Sequence, residues 1–158
     1  MLVPFLITAI IILGAIVFYL YYLAPKFNPK NKAEILLNEN RIDEAIVEFK
    51  KVLEKIPNDV AIHWQLAGLY LNQEKIDLAI NHLEAVTNIN RYSADVEKSD
   101  VYKLLADLYL QRGDKLKAFE KFYELLKEYP SDVEALYHVG FMSLGQELFE
   151  TAYRNLET

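Results

Sequence analysis

The first 25 residues form one block of apolar positions, whereas the rest of the chain mixes apolar and charged positions with helical spacing. Residues 2–23 carry no charged side chain over 22 consecutive positions. As an α-helix this run would be about 33 Å long, close to the roughly 30 Å hydrocarbon core of a bilayer. Tyrosines cluster at its C-terminal end and lysines follow it, in the order that a membrane interface favours. The pattern predicts a transmembrane anchor over residues 1–25. Residues 2–23 of this anchor are predicted to contact the lipid bilayer.

The charges beside the apolar block indicate its orientation. Lys26, Lys30 and Lys32 follow the block, and no Lys or Arg precedes it. The positive-inside rule therefore places the following domain in the cytoplasm, with a periplasmic domain as the alternative. A cleaved signal peptide is disfavoured, because such a peptide has basic residues before a shorter apolar run. We expect a single-pass membrane protein.

Residues 26–158 contain an internal repeat marked by alanines. The alanines recur at spacings of 34, 39 and 34 residues, each early in a helical pattern. A bulky apolar residue follows each alanine four positions later, and a proline follows the first and third alanines twelve positions later. The aligned residues are Ala45, Ala79, Ala118 and Ala152.

These offsets resemble those of the tetratricopeptide repeat (TPR) family, whose unit is 34 residues long. The resemblance implies an all-α fold, a superhelical solenoid of about four antiparallel helix pairs following the transmembrane helix. The implied repeats span residues 26–59, 60–93, 99–132 and 133–158. Small residues are expected where paired helices cross closely; those upstream of the aligned alanines are Ala67, Ala106 and Gly140. Aromatic residues expected between the layers are Phe49, Tyr70, Tyr109 and Phe122.

Prolines and aspartates predict where the helices end and begin. Pro57 and Pro130 push the residues before them out of the α region and so end a helix. Asp59 and Asp132 stand just beyond and are well suited to cap the next helix. Gly113 is expected to form the turn inside the third repeat.

Residues 94–98 are five additional residues, and they account for the spacing of 39. We expect the first helix of the third repeat to begin a turn early, because this stretch has no helix breaker; a bulging loop is the alternative. Ser93 and Ser99 are both candidate N-caps.

The chain stops at Thr158, inside what should be the second helix of the fourth repeat. Solenoids usually cover their last layer with a polar helix face. We therefore expect the last apolar residues to be covered by another chain, or by the remainder of a longer one. These residues are Phe149, Tyr153 and Leu156.

Composition limits the chemistry that the chain can perform. It has no Cys, which excludes disulfides, thiolate zinc sites and a thiol nucleophile. Its net charge of −6 disfavours nucleic acid as a partner. Acidic residues with lysine neighbours, such as Glu44 and Glu48, are predicted to be solvated helix faces. His63, His82 and His138 lack metal-ligand spacing, so we expect no metal. No nucleophile or phosphate-binding motif occurs, and no carboxylate pair marks a cleft, so we expect no enzymatic activity and no cofactor.

The resemblance also implies a binding surface, because the first helix of each repeat lines a concave face in this family. That face would mix aromatic anchors with polar groups, as binding surfaces do. The residues predicted to line it are Trp64, Leu71, Asn72, Lys103, Asp107, Gln111, Tyr137 and Phe141. Trp64 either faces this groove or packs on Tyr92 or a neighbouring helix. A clamp for a C-terminal carboxylate is disfavoured, because Asp107 lies one turn from Lys103 and would repel it.

Three functions remain open at this stage. The first is a membrane-tethered adaptor that holds a protein partner at the bilayer, as in bacterial inner-membrane proteins whose short anchor runs straight into TPR repeats. The second is a structural subunit of a large membrane assembly, such as a periplasmic collar or ring, that self-associates through its uncapped last repeat. The third is a regulatory part of a longer chain.

Overall fold

The computed structural model describes residues 2–19, 28–89 and 96–143 of the 158-residue chain. Eight helices lie in these ranges: α1 (Leu2–Phe18), α2 (Pro29–Asn38), α3 (Ile42–Lys55), α4 (Val60–Asn72), α5 (Ile76–Thr87), α6 (Lys98–Gln111), α7 (Lys115–Glu128) and α8 (Val133–Ser143). The chain divides into two compact units, Met1–Pro57 and Asn58–Thr158. The expected helical repeat fold is confirmed for the described part of the chain.

Helix α1 is described over Leu2–Phe18, 17 residues. Within the ranges that the structure describes, no helix combines the length and the apolar character needed to cross a bilayer. The transmembrane helix expected over residues 2–23 and the single-pass inner-membrane localisation are therefore wrong. Contact of residues 2–23 with a bilayer was expected because of this transmembrane helix, so that expectation is no longer supported.

Three helix hairpins close with the same backbone turn. One residue in each turn has a positive φ: Asn40 and Glu74 at 58°, and Gly113 at 79°. The backbone N–H of the next residue donates to a carbonyl five positions back, as from Lys75 to Tyr70 at 2.9 Å. This is the Schellman arrangement, which satisfies the last carbonyls of the first helix. The turns recur 34 and 39 residues apart, the spacing of the first three aligned alanines, and the turn predicted at Gly113 is confirmed.

Aspartate side chains begin the helices that follow the two prolines. Asp59 Oδ1 accepts a hydrogen bond from the backbone N–H of Ile62 at 3.1 Å. Asp132 Oδ1 accepts one from Ala135 at 3.0 Å. Each bond satisfies a backbone donor that the first helical turn leaves without a partner, which stabilises a helix by about 1 kcal/mol. Both predicted caps are confirmed, and Asp114 caps α7 in the same way.

Small and aromatic residues of the repeat form the core of each unit. The predicted interlayer aromatics are at most 3% exposed, as predicted. The small residues predicted at helix crossings that have no exposed surface are Ala45, Ala67, Ala79, Ala106 and Ala118. Gly140 is exposed. The second helix of its repeat, which Gly140 is expected to cross, lies outside the described residues, as does Ala152, so the close crossing stays a prediction.

The start of α6 also differs from the sequence expectation. The helix begins at Lys98, after Glu97 in an extended conformation with φ −80° and ψ 136°. Val96, just before it, is buried at 4% exposure. An early helical turn is therefore absent at residues 96 and 97, where extended backbone carries Val96 into the core. Ser99 lies inside the helix and does not cap it, while Ser93 is outside the described residues.

In the first unit, Glu48 on α3 is buried and not on a solvated face. It is 6% exposed, and its Oε1 accepts hydrogen bonds from Lys32 Nζ at 2.7 Å and from Lys51 Nζ at 2.9 Å. The two ammonium groups hold the pKa of the Glu48 carboxyl below its ordinary value of 4.5, and Lys32 has the larger effect. The expectation failed because Lys32 lies on α2, outside the local spacing that a helix pattern reveals.

Candidate partner-binding face of the second unit

The eight residues predicted to line a binding surface lie on three helices of the second unit. On α4, Trp64 and Leu71 are half-buried and Asn72 is exposed. On α6, Lys103 is half-buried, whereas Asp107 and Gln111 are exposed; on α8, Tyr137 and Phe141 are exposed. Contacts described below join the α6 residues to α8, while contacts of α4 side chains, such as His63 with His82, run to α5. We call Lys103, Asp107, Glu134, Tyr137 and Phe141 the α6–α8 face.

An aromatic cluster occupies one part of this face. The ring centroids of Tyr137 and Phe141 lie 6.1 Å apart in a stacked arrangement. The ring of Tyr137 meets that of His138 edge-on at 5.3 Å. His138 in turn stacks on the buried ring of Phe122 at 4.4 Å, which connects the exposed cluster to the core between α7 and α8. Tyr137 and Phe141 thus present apolar surface from a fixed base.

Lys103 connects α6 to the beginning of α8. Its Nζ lies 2.6 Å from Asp132 Oδ2 and 3.4 Å from Glu134 Oε2. The bond from Lys103 lowers the pKa of Asp132, and the bond to Asp132 raises the pKa of Lys103. Asp132 therefore caps α8 with one carboxylate oxygen and holds Lys103 with the other. Lys103 is engaged by these acidic groups and does not present a free ammonium to a ligand.

Two carboxylates and one imidazole converge beside Lys103. One ligand atom from each of Asp107, Glu134 and His138 lies within 4.8 Å of the others. Partial loss of hydration next to the helix surface, and then the negative charge of Glu134, raise the pKa of the Asp107 carboxyl above its ordinary value of 3.8. Sequence reasoning singled out Asp107 but missed its two neighbours. The available signal was the i, i+4 spacing of Glu134 and His138, which places both side chains on one face of a helix.

Sequence spacing also missed a pair of histidines between α4 and α5. The Nδ1 atoms of His63 and His82 lie 2.9 Å apart, so one ring donates a hydrogen bond and the other accepts it. The ring of His82 also stacks on Tyr70 at 5.5 Å. Nineteen residues separate the two histidines, and only the hairpin brings them together. This pair is part of the packing within one hairpin and lies apart from the α6–α8 face.

Comparison with known families identifies the repeat. Residues 36–98 and 104–132 match family models described as tetratricopeptide repeat. The human protein "Tetratricopeptide repeat protein 21A" is 29% identical over 107 residues, which is 66% of this chain and 8% of the human protein. The chain thus spans less than a tenth of the length of that relative. The finer expectation of a membrane-anchored bacterial member is not confirmed.

Solved structures show the same fold at low sequence identity. YrrB, described as a TPR protein with an unusual peptide-binding site, aligns over 78% of this chain and 61% of its own, with a TM-score of 0.57 and 17% identity. The first TPR of Spaghetti (RPAP3), bound to the HSP90 peptide SRMEEVD, covers 74% and 89% with a TM-score of 0.54 and 18% identity. MamA from Desulfovibrio magneticus RS-1 covers 82% and 72% with a TM-score of 0.53 and 23% identity. Together with the family matches, these likenesses show that the chain carries tetratricopeptide repeats.

Proposed function

We propose that this chain is a protein-interaction adaptor that binds a peptide segment of a partner on the α6–α8 face. The observation that carries the proposal is the exposure of Tyr137 and Phe141, at 64% and 66%, on the helix that also carries Glu134. The carboxylates of Glu134 and Asp107 are exposed as well, and they lie within 4.8 Å of each other. Exposed aromatic anchors beside polar groups are what peptide-binding surfaces use. The peptide-binding descriptions of YrrB and RPAP3 support binding, and not catalysis, as the role of the repeats.

The charges on the face favour a basic peptide. Asp107 and Glu134 are exposed acidic groups, whereas Lys103 is already bonded to Asp132. An incoming carboxylate would meet two negative charges and no free ammonium, so an acidic peptide is disfavoured. The favoured ligand carries one apolar side chain for the Tyr137–Phe141 pair and a Lys or Arg for the carboxylates.

The binding surface extends, in this proposal, to the remaining residues that the sequence predicted. Gln111 is exposed one turn beyond Asp107 on α6, and Asn72 is exposed at the end of α4. Amide side chains can bond the backbone of an extended peptide, because each offers both a donor and an acceptor. Trp64 and Leu71 add half-buried apolar surface on α4.

Selection from a phage-displayed random peptide library on the intact chain tests this proposal. We expect the selected peptides to combine Lys or Arg with a large apolar residue. In fluorescence anisotropy, the double variant Tyr137→Ala with Phe141→Ala should bind a selected peptide at least about tenfold more weakly, since a hot-spot residue contributes more than 1 kcal/mol. Leu116→Ala is the matched control, because Leu116 is a large exposed apolar residue on α7. Equal binding by the double variant and the control would refute the proposal.

A second candidate is self-association through α8, which the same exposed residues favour. Val133 is 79% exposed and, like Tyr137 and Phe141, lies on an i, i+4, i+8 stripe of the helix. Sedimentation velocity over a range of concentrations separates the two candidates. A dimer that dissociates on Tyr137→Ala would support self-association, and a monomer at high concentration would exclude it.

A further inference from the structure

The α6–α8 face contains three side chains of the types that bind transition metals. Asp107 lies on α6, and Glu134 and His138 lie one turn apart on α8. One ligand atom from each lies within 4.8 Å of the other two. Tetrahedral ligands about 2.1 Å from a shared zinc ion lie about 3.4 Å from one another. Side-chain movements of about 1 Å by the two exposed carboxylates would therefore close a coordination sphere.

The imidazole of this cluster is held in place by its neighbours. Its ring stacks on Phe122 at 4.4 Å and meets Tyr137 edge-on at 5.3 Å. Asp132 caps the helix that carries both Glu134 and His138. A ligand that is already oriented loses little conformational entropy on binding, so a rigid ring on a capped helix favours metal affinity.

Nearby positive charge neutralises the two carboxylates of the cluster only in part. The carboxylate oxygens that Asp107 and Glu134 bring to the cluster lie within 4.8 Å of each other, so their negative charges repel. Lys103 makes its shorter contact, 2.6 Å, with Asp132 and its longer one, 3.4 Å, with Glu134. A divalent cation between the two carboxylates would neutralise a repulsion that Lys103 relieves only in part.

We propose that Asp107, Glu134 and His138 form a binding site for a divalent transition metal ion, with Zn²⁺ as the ion that fits it best. One imidazole nitrogen with two carboxylate oxygens suits zinc and its neighbours, whereas Mg²⁺ and Ca²⁺ prefer ligand sets made only of oxygen. Three protein ligands leave a coordination position open for water or for a carboxylate from another molecule. This site does not depend on the proposed peptide-binding function, because metal binding is measured with no peptide present.

Isothermal titration of the intact chain with ZnCl₂ tests the site. We expect one Zn²⁺ per chain, and at least about tenfold weaker binding by Asp107→Asn and by Glu134→Gln, since even residues that only support a ligand change affinity by that factor. Both residues are exposed, so the fold should survive, which circular dichroism checks. Asp100→Asn is the matched control, because Asp100 is an exposed carboxylate two turns earlier on α6. Absence of stoichiometric binding, or equal binding by all three variants, would overturn the proposal.

Two further measurements locate the ion. The imidazole NMR signals of His138 should shift on addition of Zn²⁺, while those of His63 and His82 should not; the reverse result places the metal elsewhere and refutes the site. Lys103→Met removes a positive charge next to Glu134, so its affinity for Zn²⁺ should rise, roughly fivefold. An unchanged or weaker affinity in Lys103→Met would contradict the geometry proposed here.

Discussion

The hydroxyl of Tyr109 on α6 donates a hydrogen bond to Oε1 of Glu84 on α5. Tyr109 is 1% exposed, and Glu84 is half-buried. Because α5 and α6 belong to successive hairpins, this bond fixes one repeat against the next. Burial of the phenol, and then its bond to Glu84, raise the pKa of Tyr109 well above its ordinary value of 10.

Tyr109→Phe should lower the free energy of unfolding by about 1.5 to 3 kcal/mol, the usual contribution of a hydrogen bond to a charged group. The substitution keeps the ring in the core and leaves the Glu84 carboxylate half-buried without its donor. Urea unfolding followed by circular dichroism measures the change. Tyr129→Phe is the control, because Tyr129 is 42% exposed, and it should change stability by less than about 0.5 kcal/mol. Equal stabilities for the two variants would show that the bond contributes nothing.

The same tyrosine should make stability decline at alkaline pH. Its pKa is higher in the folded chain than in the unfolded chain, where it is near 10. The unfolded chain therefore loses this proton first, and the stabilisation, fully present below pH 10, is lost as the pH rises towards the folded value. Thermal unfolding at pH 8 to 11 should show a smaller decline for Tyr109→Phe than for the wild type. If stability declined equally in both proteins, the decline would come from the titration of groups other than Tyr109.

The three hairpin turns predict opposite effects of two substitutions. Glu74 has a φ of 58°, which costs a residue with a Cβ atom about 1 kcal/mol, so Glu74→Gly should raise the free energy of unfolding by up to that amount. Gly113 has a φ of 79°, and Gly113→Ala should lower stability by about 1 kcal/mol. Asn40→Gly is the control, because asparagine tolerates this conformation and the change should be small. Urea unfolding of the three variants checks the order, and a destabilised Glu74→Gly protein would contradict it.

These turns also show how far a sequence determines such a fold. Gly113 is recognisable because glycine marks a left-handed residue, but Glu74 gives no such signal. Its conformation is imposed by the bond from Lys75 N–H to the carbonyl of Tyr70, which the packing of α4 on α5 makes favourable. The repeat of alanines and the aspartate caps were predictable, because both depend on neighbours within a few residues.

The candidate site also has one part that the sequence predicts and one part that it does not. The exposure of Asp107, Tyr137 and Phe141 was predictable, because the TPR resemblance assigns them repeat positions on the open side of their helices; that they bind a partner stays a prediction. The convergence of Asp107 with Glu134 and His138 was not, because it depends on how α6 and α8 approach each other in space. Helical spacing predicts which residues share a face of a helix, whereas contacts between helices are known only from the three-dimensional structure.

A buried carboxylate in the first unit leads to the last prediction. Lys32 and Lys51 lower the pKa of Glu48 from its ordinary value of 4.5. Its ionised form is therefore favoured by folding, and the resulting stabilisation, present above about pH 4.5, is lost as the pH falls through the folded value. Glu48→Gln keeps an acceptor for the lysines but replaces charge-assisted bonds with neutral ones, so it should cost about 1 kcal/mol at pH 7.

The difference between Glu48→Gln and the wild type should shrink as the pH is lowered, because protonation makes the wild-type side chain neutral as well. Thermal unfolding from pH 7 to pH 3 measures this convergence. Glu54→Gln is the matched control, because Glu54 is an exposed glutamate on the same helix and its substitution should have little effect at either pH. A loss of stability in Glu48→Gln that stays constant down to pH 3 would mean that shape, and not charge, makes Glu48 important to the core of the first unit.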